Sequence, residues 1–486
     1  MLLFKLETMK RNLLLFICLL TFSTACKKSF LEVEPIGKTV ARTVNDYNNL
    51  FYTGNLLGTG ASDIQIPMSD DVAAVDTYLT PASIAAQRSF RWEKDIYNED
   101  ENAVEFTSAM SQIYLMNKIV NEVMDATEGT EAAKLALKAE ARATRAWAYF
   151  MLINYYGKPY NAATADTDPG FPIVTAADAG ATRFERASVE QVYQFIVADL
   201  VESIPLLPRN AVIRARMTKA GALGLLAKVY VFMGKYQEAL TQLDKVQANL
   251  PTTVTTEVLN YNTFLAVGGG WGYSPTVNSY TGGPFAFSSN ESIFARNFIT
   301  SYMVTSNVLV LTPEVMALYS PNDQRRKLYT NRATPLAANV TFPIGLMRRY
   351  GFNTIGSYGI NYPEYFLLRA ECEARTNNLA AAKADLEKLR VKRMPADEAT
   401  VTIGTREEMI RFVIDERRRE YAFLGYRWFD MRRLSVDPLF ANDVYTHKIY
   451  DIQGNVVSTY TLPKERLTLR IPLKIIAQNP NITNNP

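Results

Sequence analysis

Two stretches of this 486-residue chain match each other at a constant offset. AKVYVFMGKYQEALTQLDKV begins at Ala227 and AECEARTNNLAAAKADLEKL begins at Ala370, 143 positions later. The offset pairs Ala227 with Ala370, Gly234 with Asn377, Tyr236 with Leu379, Ala239 with Ala382 and Leu243 with Leu386. Each copy reads as a helix, a tight turn at a residue that tolerates left-handed backbone, and a second helix. Small residues fall where the two helices cross. Such a pair cannot bury its apolar face alone and must stack on neighbours. The copies are too far apart for a regular tandem solenoid. They predict helical pairs packed into one scaffold, with other material inserted between them.

The unit resembles the tetratricopeptide helix-turn-helix. Apolar residues at i, i+3, i+4 and i+7 predict further helices over Asn45–Leu56 and Phe106–Ala126. Glu131–Tyr156 is an alanine-rich helix ended by Gly157 and Pro159. Ser188 and Gln191 form a capping box that opens Val189–Ser203. Thr218–Phe232, Tyr236–Ala248, Pro363–Arg375 and Leu379–Lys392 follow the same pattern. A second capping box, Thr405 with Glu408, opens a helix running to about Phe423, and Gly425 is placed to stop it. Between about Leu250 and Thr300 the composition shifts to Gly, Ser, Thr, Asn and aromatics, predicting an irregular loop-rich subregion. The fold class expected is mainly α, with tetratricopeptide-like helical pairs as scaffold and the loops as ligand-binding part.

Composition removes several function classes. Hydrophobic residues make up 48% and charged residues 21%, as in ordinary globular proteins. The formal net charge of +3 is small for this length, and no basic run interleaved with aromatics suggests nucleic acid. The three cysteines are Cys18, Cys26 and Cys372. Cys372 reads as a small buried residue on a helix. His447 is the sole histidine, so histidine-rich zinc sites are excluded and any Ser-His-Asp triad would have to use it. In the alternating stretch DVYTHKIYD it reads as a surface residue on a strand. No cofactor or metal is called for.

The N-terminus reads as a secretory signal. Lys10 and Arg11 precede LLLFICLLTFSTAC, an apolar run shorter than the roughly 20 residues of a membrane span. Ser23-Thr24-Ala25-Cys26 resembles a bacterial lipobox, in which the cysteine is lipidated and becomes the mature N-terminus. The expected organisation is residues 1–25 as signal peptide, with Met9 as a possible true start, residues 26–44 as a lipidated leader, and residues 45–486 as one domain. That domain carries the loop-rich insertion over about 250–300.

An ordered set of segments points further. CKKSFLEVEPIGK follows the signal, then IYLMNKIVNEV from Ile113, AEARATRAWAYFMLINYYGKPY from Ala139 and RASVEQVYQFIVADL from Arg186. RMTKAGALGLLAKVYVFMGKYQEAL begins at Arg216 and YPEYFLLRAECEAR at Tyr362. ERRREYAFLGYRWFDMRRL spans Glu416–Leu434, and IPLKIIAQNPNITNNP ends the chain. Together these resemble the RagB/SusD family of outer-membrane lipoproteins of Bacteroidetes. The resemblance implies a nutrient-binding protein rather than an enzyme, anchored to the outer membrane through Cys26 and exposed at the cell surface. It also implies a SusC-like TonB-dependent transporter as partner and an oligosaccharide as ligand, held by irregular loops while the helical part faces the transporter. One departure is that Lys27 and Lys28 follow the cysteine, where surface lipoproteins of the phylum often carry acids.

Within that frame the candidate ligand residues are Trp271, Tyr273, Asn278 and Tyr280, displayed among glycines in the loop-rich stretch. Aromatic rings stack on the apolar faces of sugars while amides bind their hydroxyls. Trp92 and Asp70, from N-terminal loops, are further candidates. Asp70 and Asp71 suit sugar hydroxyls or calcium, although such a pair also serves as a turn or helix cap. The charged segment Glu416–Leu434 reads as core, with Glu416 pairing Arg419 or Glu420 pairing Arg417 along one helix. Glu364, Glu371 and Arg375 read as a scaffold network. Competing functions are peptide or glycoprotein capture by the same architecture, a glycoside hydrolase, which needs two carboxylates about 5–10 Å apart, and a pure assembly scaffold.

Overall fold

The computed structural model describes residues 41–52, 56–276, 279–283, 288–335, 340–343, 345–351 and 353–486. The signal peptide, Cys26, most of the leader and Asn278 lie outside the described residues.

The longer helices form where the apolar spacing places them. They are α1 (Val104–Glu122), α2 (Glu131–Tyr156), α3 (Val189–Ser203), α4 (Lys219–Phe232), α5 (Tyr236–Ala248), α6 (Tyr362–Arg375), α7 (Leu379–Arg390), α8 (Arg406–Tyr421) and α9 (Tyr426–Leu434). Side-chain caps set their starts. Thr130 accepts from the amide of Ala133, Ser188 and Gln191 form the expected capping box, and Thr405 accepts from the amide of Glu408. The first expected helix is shorter, Val44–Leu50. The last expected one ends at Tyr421 rather than Phe423, and Gly425 opens α9 instead of closing α8.

Neighbours in sequence are neighbours in space: α1 packs on α2, α2 on α3, α3 on α4 and α4 on α5. The row then continues across the long insertion, because α5 packs on α6 and α6 on α7, with α8 also against α6. The two repeat copies are α4–α5 and α6–α7. Their turns sit at Gly234 (φ 72°) and Asn377 (φ 65°), both left-handed, as the matched Gly and Asn predict. α4 is buried nearly all round, as the middle member of a stack must be.

Short strands fill the rest: β1 (Val72–Val75), β2 (Ser292–Phe294), β3 (Asn297–Ile299), β4 (Leu309–Leu311), β5 (Tyr329–Thr330), β6 (Arg348–Arg349), β7 (Ile355–Ser357), β8 (Ile360–Asn361), β9 (Thr446–Tyr450) and β10 (Val456–Thr461). One sheet has the order β10-β9-β1-β4, with β1 parallel to β9 and antiparallel to β4. β2–β8, β3–β7 and β5–β6 are antiparallel ribbons. The irregular insertion therefore runs from the end of α5 to the start of α6, well beyond Thr300.

The charged Glu416–Leu434 segment is the hub of the core. Trp428, Phe429, Met431 and Leu434 are buried as expected. Glu416 is fully buried and binds Arg325 (2.8 Å), Arg390 (2.7 Å) and Arg419 (2.8 Å). The alternative pairing along the helix, Glu420 with Arg417, does not form. Glu420 instead binds Arg325 and Arg393 from other elements, and Arg417 binds Asp430 (2.9 Å) and Glu364 (3.5 Å). Glu371 joins Arg375 (3.0 Å) and Arg433 (2.7 Å), while Glu364 also holds Lys228 (3.0 Å). The scaffold reading of Glu364, Glu371 and Arg375 thus describes a network spanning α4, α6, α8 and α9. Cys372 is buried, and burial pushes its thiol well above the ordinary range.

Asp430 carries a pH signature. Against the cost of burial, the Arg417 and Arg433 guanidiniums lower its carboxyl pKa to about 2. A depressed carboxylate stabilises the fold above its unfolded pKa of about 4, and that contribution is lost as pH falls through the folded value. The difference in unfolding free energy between the wild type and Asp430→Asn should be constant above pH about 4. It should then shrink by on the order of 2 kcal/mol as pH falls toward 2. Denaturant titrations across that range check this, and a pH-independent difference would contradict it.

Candidate ligand-binding site

A cavity of about 130 Å³ lies where the insertion meets the α8–α9 corner and the start of α6. Trp271, Tyr280 and Tyr261 come to it from the insertion, and Tyr421 and Tyr426 from the corner. Asn361 and Asn353 add amides, Ser289 and Ser357 hydroxyls, and Glu291, Arg349 and Glu420 charge.

The corner is built by one residue with two duties. Asn361 caps α6, its Oδ1 accepting from the amide of Glu364 at 2.8 Å. The same side chain accepts from the Tyr421 hydroxyl (2.7 Å) and donates to the Tyr426 hydroxyl (3.0 Å). These bonds hold the two rings stacked, with centroids 4.0 Å apart and planes 13° from parallel. The turn between the rings needs Gly425, whose φ is 76° and whose missing Cβ leaves room for the Gln65 side chain. Gln65 in turn donates to the Leu424 carbonyl at 3.3 Å and accepts from the Tyr155 hydroxyl at 2.7 Å.

The insertion side is aromatic. Trp271 stacks on Phe264 (centroids 5.1 Å) and meets Tyr261 edge-on (5.0 Å). Its amide donates to the Phe264 carbonyl, which fixes the loop. The Tyr280 hydroxyl donates to the Tyr350 carbonyl. Behind these rings Arg393 lies 3.9 Å over Tyr261 and binds Glu291 (2.8 Å) and Glu420 (2.7 Å). Burial raises the Glu291 carboxyl above its ordinary range. Although burial opposes it, Arg393 holds the Glu420 carboxyl below that range.

Of the residues singled out from sequence, the cavity brings together Trp271 and Tyr280. Tyr273 is half-buried outside it, with the Lys327 ammonium 4.7 Å from its ring. Trp92 and Asp70 lie outside this cavity, and both have partners elsewhere. The Trp92 ring stacks on His447 at 3.7 Å and its Nε1 donates to the Met68 carbonyl. The Asp70 carboxylate takes a bidentate contact from Arg427 (2.6 and 2.9 Å). Asp71 likewise binds Arg418 at 2.9 Å, so the pair clamps its loop to α8 and α9. His447 is a correction. It is fully buried between the rings of Phe90 and Trp92, its nitrogens facing the Phe90 and Ser69 carbonyls. Burial pushes its pKa down to about 4. Tyr261, Asn361, Tyr421, Tyr426 and Arg349 were not anticipated as site residues. The one local signal was Asn361 ahead of Tyr362-Pro363-Glu364, a helix-start pattern that places an amide at an element's end.

A second hollow, of about 610 Å³, lies beside the α4–α5 turn at Gly234 and Tyr236. Arg375 and Arg433 there are both tied to Glu371. Among the described residues, no group of three His, Cys, Asp or Glu is placed to hold a metal ion, and no helix is long and apolar enough to cross a membrane.

Residues 29–231 match a family described as starch-binding, associating with the outer membrane, and residues 315–486 match the SusD family. A SusD-like protein of Bacteroides ovatus is 27% identical over 253 residues, or 46% of this chain. That match spans only 39% of the relative's length. Among solved structures, a SusD superfamily protein of Bacteroides thetaiotaomicron is 19% identical with a TM-score of 0.69, covering 91% of this chain and 100% of its own. A SusD-like carbohydrate-binding protein of Bacteroides vulgatus is 18% identical with a TM-score of 0.64, covering 91% and 97%. A laminarin-binding SusD-like protein is 18% identical with a TM-score of 0.60, again covering 91% and 97%. At these identities the structural likeness is one of fold.

The corner that carries Tyr421 and Tyr426 depends on a backbone that only glycine adopts cheaply. Gly425→Ala should cost about 1–2 kcal/mol from the left-handed backbone alone, with a further loss from displacing Gln65. Chemical denaturation should show this together with a changed near-ultraviolet circular dichroism from the stacked tyrosines. Wild-type stability in the variant would refute the assignment.

Proposed function

The chain belongs to the SusD/RagB family, and from that premise we propose that it is a glycan-binding lipoprotein of the outer membrane. It captures an oligosaccharide in the aromatic cavity and passes it to a SusC-like TonB-dependent transporter. The observation that carries this reading is the convergence of Trp271, Tyr261, Tyr280, Tyr421 and Tyr426 with amides and hydroxyls around one hollow. Rings supply surface for the C–H faces of a sugar, and a few placed polar groups orient it. The relatives' descriptions as carbohydrate- and laminarin-binding support the same class of ligand.

Binding fits the cavity better than hydrolysis. Glu291 and Glu420, its two carboxylates among the described residues, bind the same Nη2 of Arg393, so both are occupied by a guanidinium. A glycosidase needs one carboxyl free to give a proton and another free to attack or to activate water. The volume also limits what is held. About 130 Å³ is below the few hundred Å³ of a site that encloses a whole small ligand. One sugar unit would enter while the rest of the chain lies outside. Affinity of the protein alone should then be modest, with the transporter closing over the remainder. Cys26 would carry the lipid anchor that keeps the protein on the outer membrane, facing the cell exterior.

Calorimetric titration of the full-length protein in detergent with a panel of glucan oligosaccharides tests the reading, beside Trp271→Ala. The variant should lose roughly thirtyfold in affinity, about 2 kcal/mol, as a central aromatic anchor does. Unchanged binding by a folded variant would remove Trp271 from the site. Absence of binding to any glycan would favour an assembly scaffold or peptide capture.

A further inference from the structure

Charge bookkeeping around the cavity leaves one cation over. Among the described residues, the charged groups lining it are Glu291, Glu420 and Arg349. Both glutamates belong to a closed buried network. In it the guanidiniums of Arg325, Arg390, Arg393 and Arg419 face the carboxylates of Asp323, Glu291, Glu416 and Glu420. Four positive groups meet four negative ones there. Arg349 stands outside that balance, with no carboxylate in ion-pair range among the described residues. Its Nη1 donates to the Tyr329 hydroxyl (3.2 Å) and the Ala422 carbonyl (3.1 Å), which fixes the side chain in place. Nε and Nη2 have no acceptor among the described residues.

Other arginines here also lack carboxylate partners, but they are placed differently. Arg296, Arg348 and Arg432 are almost fully buried, donate to backbone carbonyls, and do not line the cavity. Arg349 alone among these four lines the aromatic hollow. The Nε–Nη2 edge of a guanidinium presents two parallel N–H groups, which match the two oxygens of a carboxylate. A fixed guanidinium facing a low-dielectric hollow rewards an anion more than an exposed one would.

We propose that the cavity selects a sugar bearing a carboxylate, a non-esterified uronic acid residue, with its carboxylate bound side-on by Arg349 and its ring faces against the surrounding aromatics. This rests on the glycan-capture reading above and narrows its ligand class. A neutral sugar offers Arg349 hydroxyl oxygens as acceptors but no negative charge, so it gains less at that position than a carboxylate does. Discrimination therefore comes from charge at one position of the ring, not from the length of the oligosaccharide.

The test compares ligands that differ only in that charge. Full-length protein in detergent is titrated calorimetrically with oligomers of galacturonate, glucuronate and mannuronate, each beside its methyl ester, and with neutral laminarin oligosaccharides. At least one acid should bind roughly tenfold or more tightly than its ester, the scale of a hydrogen bond to a charged group. Arg349→Gln should bring that acid and its ester to within about threefold, and Arg349→Lys should keep part of the preference because it keeps the charge without the fork. Melting curves identify a variant that fails to fold, and the wild-type acid-to-ester ratio stands whatever the variants do. Equal binding of acid and ester by the wild type would overturn the proposal, as would a preference that survives in folded Arg349→Gln. Binding of laminarin oligosaccharides but of no uronate would overturn this proposal and leave glycan capture standing. Binding of none of these sugars would sink both.

Discussion

One carboxylate holds three parts of this molecule in register. Glu416 lies in the C-terminal half of α8 with no solvent contact, and its oxygens are shared by Arg325 from the insertion, Arg390 from the end of α7 and Arg419 from its own helix. Charges taken out of water cost several kcal/mol each and recover that only with well-made partners. Removing one partner from such a group leaves the rest uncompensated, so the elements are held by necessity as much as by attraction. Helical rows built only from apolar stripes can slide by a turn. A buried anion with three fixed guanidiniums tolerates no such slip.

The same physics explains how a long irregular insertion can be a stable part of the fold. Between α5 and α6 the strands are only two or three residues long, too short to be independently stable. Their anchorage is electrostatic and aromatic. Arg325 ties the insertion to Glu416 and Glu420, Glu291 ties it to Arg393, and Phe294 packs edge-on against Trp147 of α2. Continuity of the helical row across the insertion, α5 directly against α6, means that the inserted residues decorate the stack without interrupting it.

Local information was legible in the sequence and distant pairing was not. Helix spans, caps and the repeat depend on residues within about one turn of one another, and those came out nearly as spacing predicts. Gly234 and Asn377 are the clearest case, since matched positions adopt matched left-handed backbone. The errors share a cause. Glu420 and Arg417 have the spacing of a helix-surface pair, yet each has a better partner far along the chain, in Arg325, Arg393 and Glu364. Asp70 looks like a solvated turn until Arg427, more than 350 residues away, is seen to close on it. His447 alternates as a surface strand residue would, but its strand lies inside a four-stranded sheet beneath Phe90 and Trp92. Tyr421 and Tyr426 were hidden for the opposite reason. They sit in a segment so evidently structural that its contribution to a cavity leaves no separate mark.

That double role links the buried core to the cavity wall. Glu416 and Tyr421 lie little more than one helical turn apart, so the helix that organises the buried charges also sets the position of a ring that lines the cavity. Asn361 extends the linkage by capping α6 and bonding both stacked tyrosines with one side chain. Arg349 completes it, since its Nη1 holds the Ala422 carbonyl in the same corner. A cavity made this way is pre-organised, so any ligand it took would cost it little conformational entropy. It is also hard to alter piecemeal, because most residues that shape it bear on the charged core. The cavity wall is easiest to change on the insertion side, where Trp271 and Tyr280 stand on loops.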